Sequence, residues 1–196
     1  MEGGHDFLEL TVVEWLEELG ERRPVPGGGS AAAIAGAMGA SLVAMTARLS
    51  QASWPESTGI VAQAVRLRVR LSRLARTDAH VYAASLDALA RTRGASSERG
   101  DYELGKALDR AAQVPLAIAE AACDVVLLAA EAATRGDPRL QADAQAAAAL
   151  AAASAQAAAR LVEVNLGATE GDPRVAKARA VVEGAEAARS RAFAPA

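Results

Sequence analysis

Apolar side chains recur every three or four residues along most of the chain, which is the spacing of one face of an α-helix. Between Phe7 and Leu19 they alternate with acidic positions and predict a first amphipathic helix. Residues 20–29 contain two prolines and four glycines, so they are expected to end that helix in a loop. Ser30 then has the chemistry of an N-cap for a second helix that runs to about Gln51.

The second predicted helix has one face with almost no side chains. Ala32, Gly36 and Ala40 are spaced four residues apart, and Gly39 adds another gap beside them. A neighbouring backbone must therefore approach this face closely. Residues 30–49 are also long and apolar enough to raise the question of a membrane span, but they are mostly alanine and glycine. The pattern favours a buried central helix, and no membrane association is expected.

Two longer helices are predicted in the middle of the chain. Residues 60–92 carry an apolar stripe at helical spacing, formed by Leu67, Leu71, Leu74, Val81 and Leu89. Residues 93–100 are polar and predict a loop. Residues 101–134 predict another helix, bent at Pro115 because proline cannot donate the backbone hydrogen bond that a straight helix requires.

The sequence Gly-Asp-Pro-Arg occurs at residues 136–139 and again at 171–174. In both copies the aspartate suits an N-cap and the proline suits the first helical position. This predicts two closing helices, over about 137–167 and 172–192. The chain is accordingly expected to be all-α, a bundle of about six helices in a single domain over residues 1–196.

Composition restricts the possible function classes. Hydrophobic residues make up 52% of the chain but aromatics only 3%, which favours closely packed helices over sheets. A net charge of -3 without a basic cluster argues against nucleic-acid binding. Cys123 is the only cysteine, so an intrachain disulfide and a cysteine-based metal site are both excluded. The N-terminus does not resemble a signal peptide, and a cytoplasmic location is expected.

Two features of the sequence suggest a binding or catalytic site. The turn Gly27-Gly28-Gly29-Ser30 leaves backbone N–H groups at the positive end of a helix, where they can cradle an anion. The same glycines would equally serve as a flexible connection between two close helices. Asp78 lies on the apolar stripe, where burial would raise its pKa toward a value useful for proton transfer. The alternatives are a salt bridge with an arginine such as Arg73 or Arg76, and a position at the edge of the stripe.

A second acid and an amide share one predicted helix. Asp143 and Asn165 are 22 residues apart, which places them within roughly 40° of one helix face. An acid and an amide could thus line one groove. The alternatives are a second-turn acid favoured by the helix dipole and a C-terminal residue of the helix. His5 and His80 are too few and too far apart to predict a metal site.

Taken together, these pieces resemble the cyclodeaminase/cyclohydrolase family, which includes formiminotetrahydrofolate cyclodeaminase. The resemblance rests on the order and spacing of motifs between Phe7 and about Val182, namely Pro26-Gly-Gly-Gly-Ser30, alanine-rich 31–45, Asp78-Ala79-x-x-Tyr82, Val114-Pro115-Leu116, Asp143 and Val164-Asn165-Leu166. It implies the all-helical fold of the cyclodeaminase domain, assembled as a homodimer.

The resemblance also implies an activity. In this family 5-formiminotetrahydrofolate closes to 5,10-methenyltetrahydrofolate with loss of ammonia, and some members hydrolyse 5,10-methenyltetrahydrofolate to 10-formyltetrahydrofolate. No metal or cofactor beyond the tetrahydrofolate substrate is implied. Asp78 matches the acidic position of the family motif and would donate and accept the proton. Folate contacts would come from Gly27, Gly28, Gly29, Ser30, Tyr82, Asp143 and Asn165.

The chain departs from the family pattern at its basic positions. Where relatives carry a basic patch and a Leu-Pro-Lys motif, it has Leu49-Ser-Gln-Ala and Ala90-Arg-Thr-Arg93. Arg91 or Arg93 would have to replace the lysines that meet the folate glutamate tail. An asparagine expected near position 161 is Leu161. The alternative function is thus a degenerate relative that acts as a non-catalytic folate-binding or scaffold protein.

Overall fold

A computed structural model of the chain describes residues 6–92, 98–166 and 171–194. Within these ranges there are six α-helices, α1 (Val12–Gly20), α2 (Gly28–Leu49), α3 (Ser57–Thr92), α4 (Glu98–Arg135), α5 (Gln141–Asn165) and α6 (Pro173–Ala192), with 3-10 turns at Phe7–Glu9 and Pro138–Leu140. No strand occurs in these ranges. The predicted all-α class with about six helices is confirmed. The predicted loop at 93–100 falls largely on residues that the structure does not describe.

The first helix begins with a reciprocal cap and leaves three of its apolar residues largely exposed. The Thr11 hydroxyl accepts a hydrogen bond from the Glu14 N–H, and the Glu14 carboxylate accepts one from the Thr11 N–H at 2.8 Å. The helix itself is amphipathic, as predicted. However, Val12, Val13 and Leu16 are all more than half exposed, and none of the α1 residues is buried. Trp15 and Leu19 are partly buried, so a single chain covers only part of the apolar surface of this helix.

Helix α2 begins three residues earlier than the sequence suggested. Gly27 is the N-cap, and because it has no side chain it makes no side-chain capping hydrogen bond of its own. Ser30 occupies the third helical position and is fully buried. The prediction of Ser30 as N-cap is wrong because glycine residues can also open a helix, and the Ser30 side chain is used in a tertiary contact instead.

Small residues let α2 pack closely against α3, α4 and α5. A Cβ built on Gly36 would lie 2.9 Å from the Ser154 hydroxyl, and one built on Gly39 would lie 2.9 Å from the Ala147 carbonyl oxygen. The Ser154 hydroxyl also donates a 2.6 Å hydrogen bond to the Ala32 carbonyl. The alanines of α5 that face this contact are buried, so the predicted close approach of another backbone is confirmed.

Replacing Gly39 by leucine should lower the free energy of unfolding by about 3 kcal/mol, because the new side chain must displace the α5 backbone. Urea denaturation followed by circular dichroism would measure this change. Gly105→Leu is the matched control. Gly105 is exposed and a Cβ there meets nothing within 4 Å, so leucine should stabilise α4 by up to about 1 kcal/mol. Equal stability of Gly39→Leu and the wild type would contradict the close packing.

Both Gly-Asp-Pro-Arg sequences mark helical starts, as predicted. Asp137 accepts a hydrogen bond from the Arg139 N–H at the start of the second 3-10 turn, which leads directly into α5. Asp172 accepts one from the Arg174 N–H at the start of α6. The Arg174 guanidinium also reaches Asp109 at 2.6 Å and ties α6 to α4.

By length and composition alone, the segments Gly28–Leu49 and Pro138–Asn165 could cross a membrane. In the bundle, half or more of the most apolar window of each segment is buried against other helices. The burial that the sequence predicts for residues 30–49 is therefore found in α2.

Candidate functional site

The N-terminus of α2 meets α3, α4 and α5 around a cavity of about 200 Å³. Its wall combines an acid, a phenol and an amide with a largely apolar surface, and it is formed by Pro24, Gly27, Gly28, Gly29, Asp78, Val81, Tyr82, Ala111, Val114, Pro115, Leu161, Val164 and Asn165. Six of the eight site residues predicted from sequence thus lie together. The exceptions are Ser30 and Asp143.

The Asp78 carboxyl group is held against the first turn of α2. The Ser30 hydroxyl donates a hydrogen bond to Asp78 Oδ2 at 3.2 Å, and the Ser30 backbone N–H donates a second one to the same carboxyl group. A Cβ built on Gly29 would lie 2.5 Å from Oδ2 and closer still to Oδ1. Asp78 can therefore occupy this position only because residue 29 has no side chain.

The burial and hydrogen bonding of Asp78 favour a proton-transfer role. Burial raises the pKa of Asp78, and the hydrogen bonds from the Ser30 hydroxyl and N–H act in the opposite direction without cancelling that shift. The salt bridge considered as an alternative is not formed with Arg76, whose Nε donates to Asp6 at 2.9 Å. A carboxyl group with a raised pKa at the wall of a cavity is suited to accept and return a proton.

The structure assigns Ser30 a different position from the one predicted. Its side chain is fully buried behind the carboxyl group, where its hydroxyl contacts the Ala75 carbonyl oxygen at 3.1 Å and Asp78. It does not line the cavity. The predicted anion cradle is therefore occupied in part by the protein's own carboxylate. The N–H groups of Gly28 and Gly29, at the first two helical positions, have no intrahelical acceptor and remain beside the cavity.

Asn165 reaches the cavity from the last turn of α5. Its side-chain Nδ2 donates a 2.6 Å hydrogen bond to the carbonyl oxygen of Ala111 in α4. That carbonyl would normally bond the N–H four residues later, but this residue is Pro115, which has none. Two motifs that are 50 residues apart in sequence thus meet in one contact. The sequence contained both motifs but gave no sign that they interact.

Asp143 does not share this site within one chain. It lies in the first turn of α5 and Asn165 at its end, so at 1.5 Å per residue the two are about 33 Å apart along the helix. The expectation that both line one groove is wrong, because it considered the angle around the helix axis and not the distance along it. A folate-binding role for Asp143 stays a prediction.

The remaining wall residues set the shape and polarity of the cavity. Tyr82 lies one helical turn after Asp78, as the sequence motif requires, and it is 39% exposed at the rim. Leu161, found where the family pattern has asparagine, contributes an apolar wall. Arg93 and the side chain of Arg91 lie outside the described residues. Among those that are described, no group of three or more His, Cys, Asp and Glu residues could hold a metal ion.

Comparison with known proteins gives consistent results. A family model described as formiminotransferase-cyclodeaminase matches residues 11–184. The methenyltetrahydrofolate cyclohydrolase of Methylorubrum extorquens is 32% identical over 163 residues, which cover 79% of this chain and 78% of that protein. The crystal structure of formiminotetrahydrofolate cyclodeaminase from Thermotoga maritima superposes with a TM-score of 0.84 at 26% identity and covers 94% of both chains.

Proposed function

Because the chain belongs to the formiminotransferase-cyclodeaminase family, we propose that it is a folate-dependent enzyme that hydrolyses 5,10-methenyltetrahydrofolate to 10-formyltetrahydrofolate. The observation that carries this proposal is the Asp78 carboxyl group, which lines a small cavity at the helix N-terminus and has a raised pKa. The 32% identity to a cyclohydrolase favours hydrolysis over the other reaction associated with the family. The similarity to relatives named as enzymes disfavours the alternative of a non-catalytic scaffold.

The proposed hydrolysis needs one group that takes and returns a proton. Water adds to the methenyl carbon between N5 and N10, and Asp78 accepts the proton that the water loses. The resulting tetrahedral carbon carries a hydroxyl group. The bond from this carbon to N5 then breaks as N5 gains a proton from Asp78, and the hydroxyl oxygen becomes the formyl oxygen with release of its proton. The sum consumes one water and releases one proton.

A second reaction has its own support. The TM-score of 0.84 to formiminotetrahydrofolate cyclodeaminase makes ring closure with loss of ammonia the second candidate. There N10 attacks the carbon of the protonated formimino group and forms a tetrahedral carbon that carries an amino group in place of the hydroxyl group. Asp78 would protonate the departing ammonia and would have taken the proton from N10. Both reactions therefore require the Asp78 carboxyl group to accept one proton and to donate one.

The absorbance of 5,10-methenyltetrahydrofolate distinguishes the two reactions. Purified protein should speed its disappearance when that compound is the substrate, and should produce it from 5-formiminotetrahydrofolate if the second candidate is correct. Ammonia release, measured with a coupled enzyme, would verify the second reaction. A protein that binds folate but accelerates neither reaction would contradict the proposal and support the non-catalytic alternative.

We further expect a homodimer that acts in the cytoplasm and needs no cofactor beyond the folate. The support for a dimer is an apolar stripe on α2, the central helix of the bundle, in addition to the uncovered face of α1. Met38 is 53% exposed and Leu49 is 61% exposed, and they lie on one face with the partly exposed Ile34, Leu42 and Met45. A second copy of the chain would remove this stripe from water.

A charge on the α2 stripe should therefore dissociate the dimer. Met38→Glu is expected to halve the mass that light scattering measures for the wild type, because a buried unpaired carboxylate is costly. Ser190→Glu adds the same charge to an exposed position of α6 and serves as the control. A wild-type protein of monomer mass, or a Met38→Glu protein that keeps the dimer mass, would refute this surface as the interface.

A further inference from the structure

Helix α1 presents an apolar and acidic surface that its own chain leaves exposed. Its three exposed apolar residues are Val12, Val13 and Leu16. Every charged residue of α1 and of its C-cap is a glutamate. Glu17 lies one turn after Val13 on the same side of the helix, and Glu21 lies one turn further on. Neither glutamate forms an ion pair within the described ranges, so this side of α1 carries uncompensated negative charge.

The first half of α3 carries the opposite charge. An open groove of about 410 Å³ runs along it, here called the α3 groove, and is lined by Val65, Arg66, Val69, Arg70, Arg73, Leu74 and Thr77. Every charged residue between Ser57 and Thr77 is an arginine. Arg66 and Arg73 are exposed and form no ion pair within the described ranges, and Arg70 has the Asp124 carboxylate nearby. The groove therefore combines an apolar surface with excess positive charge.

Helix α1 does not lie on the α3 groove of its own chain. The N-terminal segment is held further along α3, where Asp6 forms an ion pair with Arg76. Two residues of this segment, Leu10 and Glu18, share a second cavity with His80. None of the residues that line the α3 groove belongs to α1. A copy of α1 that fills the groove must therefore come from another molecule.

We propose that α1 of one chain docks into the α3 groove of a second copy of the chain. The exposed apolar residues of α1 pack against Val65 and Val69, and Glu17 and Glu21 lie beside the groove arginines. In a two-fold dimer this contact forms twice, because each chain contributes one α1 and one groove. Opposite charges meet in both contacts, whereas pairing α1 with α1 or groove with groove would bring like charges together. This inference rests on the expected homodimer and is independent of the catalytic reaction.

Charge reversal on each side of the contact tests the proposal. Arg66→Glu combined with Arg73→Glu should raise the dimer Kd, measured by sedimentation equilibrium, by about 100-fold, because glutamates then face glutamates in two contacts per dimer. Glu17→Arg combined with Glu21→Arg should have the same effect. A chain with all four changes should return to within about threefold of the wild-type Kd. In 1 M NaCl the loss in each double variant should shrink to less than about 10-fold, since the Debye length is then about 3 Å.

Arg110→Glu combined with Arg191→Glu is the matched control for the arginine pair. These residues are exposed on α4 and α6, and their reversal changes the net charge by the same amount. The control variant should keep the dimer Kd within about threefold of the wild type. A chain with all four changes that dimerises as weakly as the double variants would contradict the charge pairing.

An engineered disulfide identifies which α1 occupies the groove. In a Cys123→Ser background, Leu16→Cys with Val69→Cys should give a covalent dimer on oxidation, seen at twice the chain mass on a non-reducing gel. Leu16→Cys with Leu127→Cys, which is 44% exposed on α4, should remain at the mass of one chain. A disulfide within one chain, or an unchanged Kd in both double variants, would overturn this inference alone. A wild type that stays monomeric at all concentrations would overturn it together with the expected homodimer.

Discussion

Replacing Asp78 by asparagine should lower kcat by about 10³-fold for whichever family reaction the wild type catalyses, because a positioned acid/base contributes roughly 10²- to 10⁴-fold. Asparagine has the same shape and can still accept the hydrogen bonds from Ser30, so the fold should be retained. It cannot take up a proton at accessible pH. Stopped-flow absorbance of 5,10-methenyltetrahydrofolate would give kcat and KM separately, and KM should change much less than kcat.

The same substitution has a predicted effect on stability that depends on pH. Burial raises the pKa of Asp78 above its ordinary value of 3.8, so the folded chain holds this proton to higher pH than the unfolded chain does. The contribution of Asp78 to stability is therefore fully present below pH 3.8 and is lost as pH rises through the folded pKa. Asp78→Asn should equal or exceed the wild type in Tm at neutral pH, and this advantage should disappear below pH 3.8.

Asp87→Asn is the matched control for both measurements. Asp87 lies on the same helix, is exposed, and does not line the cavity. The Asp87→Asn substitution should leave kcat and Tm close to wild-type values. If Asp78→Asn retains more than about a tenth of the wild-type kcat, Asp78 serves mainly as a cap for α2 and the acid/base assignment is wrong.

Helical positions were predictable from the sequence because their signals are local. Asp172 and Pro173 start α6 through the Asp172 side-chain cap and the fixed backbone angle of proline, and the small residues of α2 indicate a close neighbour without identifying it. The exposed face of α1 was not foreseen, since periodicity reveals an apolar face but not what covers it. For the same reason, the sequence predicted that α5 is a packed helix but not which helices it packs against.

The candidate site was predictable in its residues but not in its contacts. Asp78 was recognisable because an acid on an apolar stripe is unusual within one helix. Its partner Ser30 is 48 residues away, and only tertiary packing brings the two together. The pairing of Asn165 with Ala111 depends in the same way on how α4 and α5 cross. The 22-residue spacing correctly placed Asp143 and Asn165 on similar sides of α5. However, Asp143 lies at the opposite end of the helix from Asn165 and does not line the cavity.

Adding one methyl group at Gly29 should be almost as harmful to activity as removing the acid. In Gly29→Ala the new Cβ would overlap the Asp78 carboxyl group, which must then move away from the first turn of α2. A displacement of about 1 Å can cost about 10²-fold in rate, so kcat should fall by at least that factor. Alanine favours the helix by about 1 kcal/mol, which offsets the strain, and Tm should change little.

Two comparisons test whether Gly29→Ala lowers kcat by displacing the Asp78 carboxyl group. A Cβ on the adjacent Gly28 meets nothing within 4 Å, so Gly28→Ala should reduce kcat far less than Gly29→Ala does. In an Asp78→Asn background, Gly29→Ala should cause almost no additional loss of kcat, because the group that it displaces no longer carries the proton. Independent, multiplicative losses in the double variant would show that Gly29 acts on the substrate directly. Near-complete overlap of the two effects is expected, since the vacancy at residue 29 is the space that the reacting carboxyl group occupies.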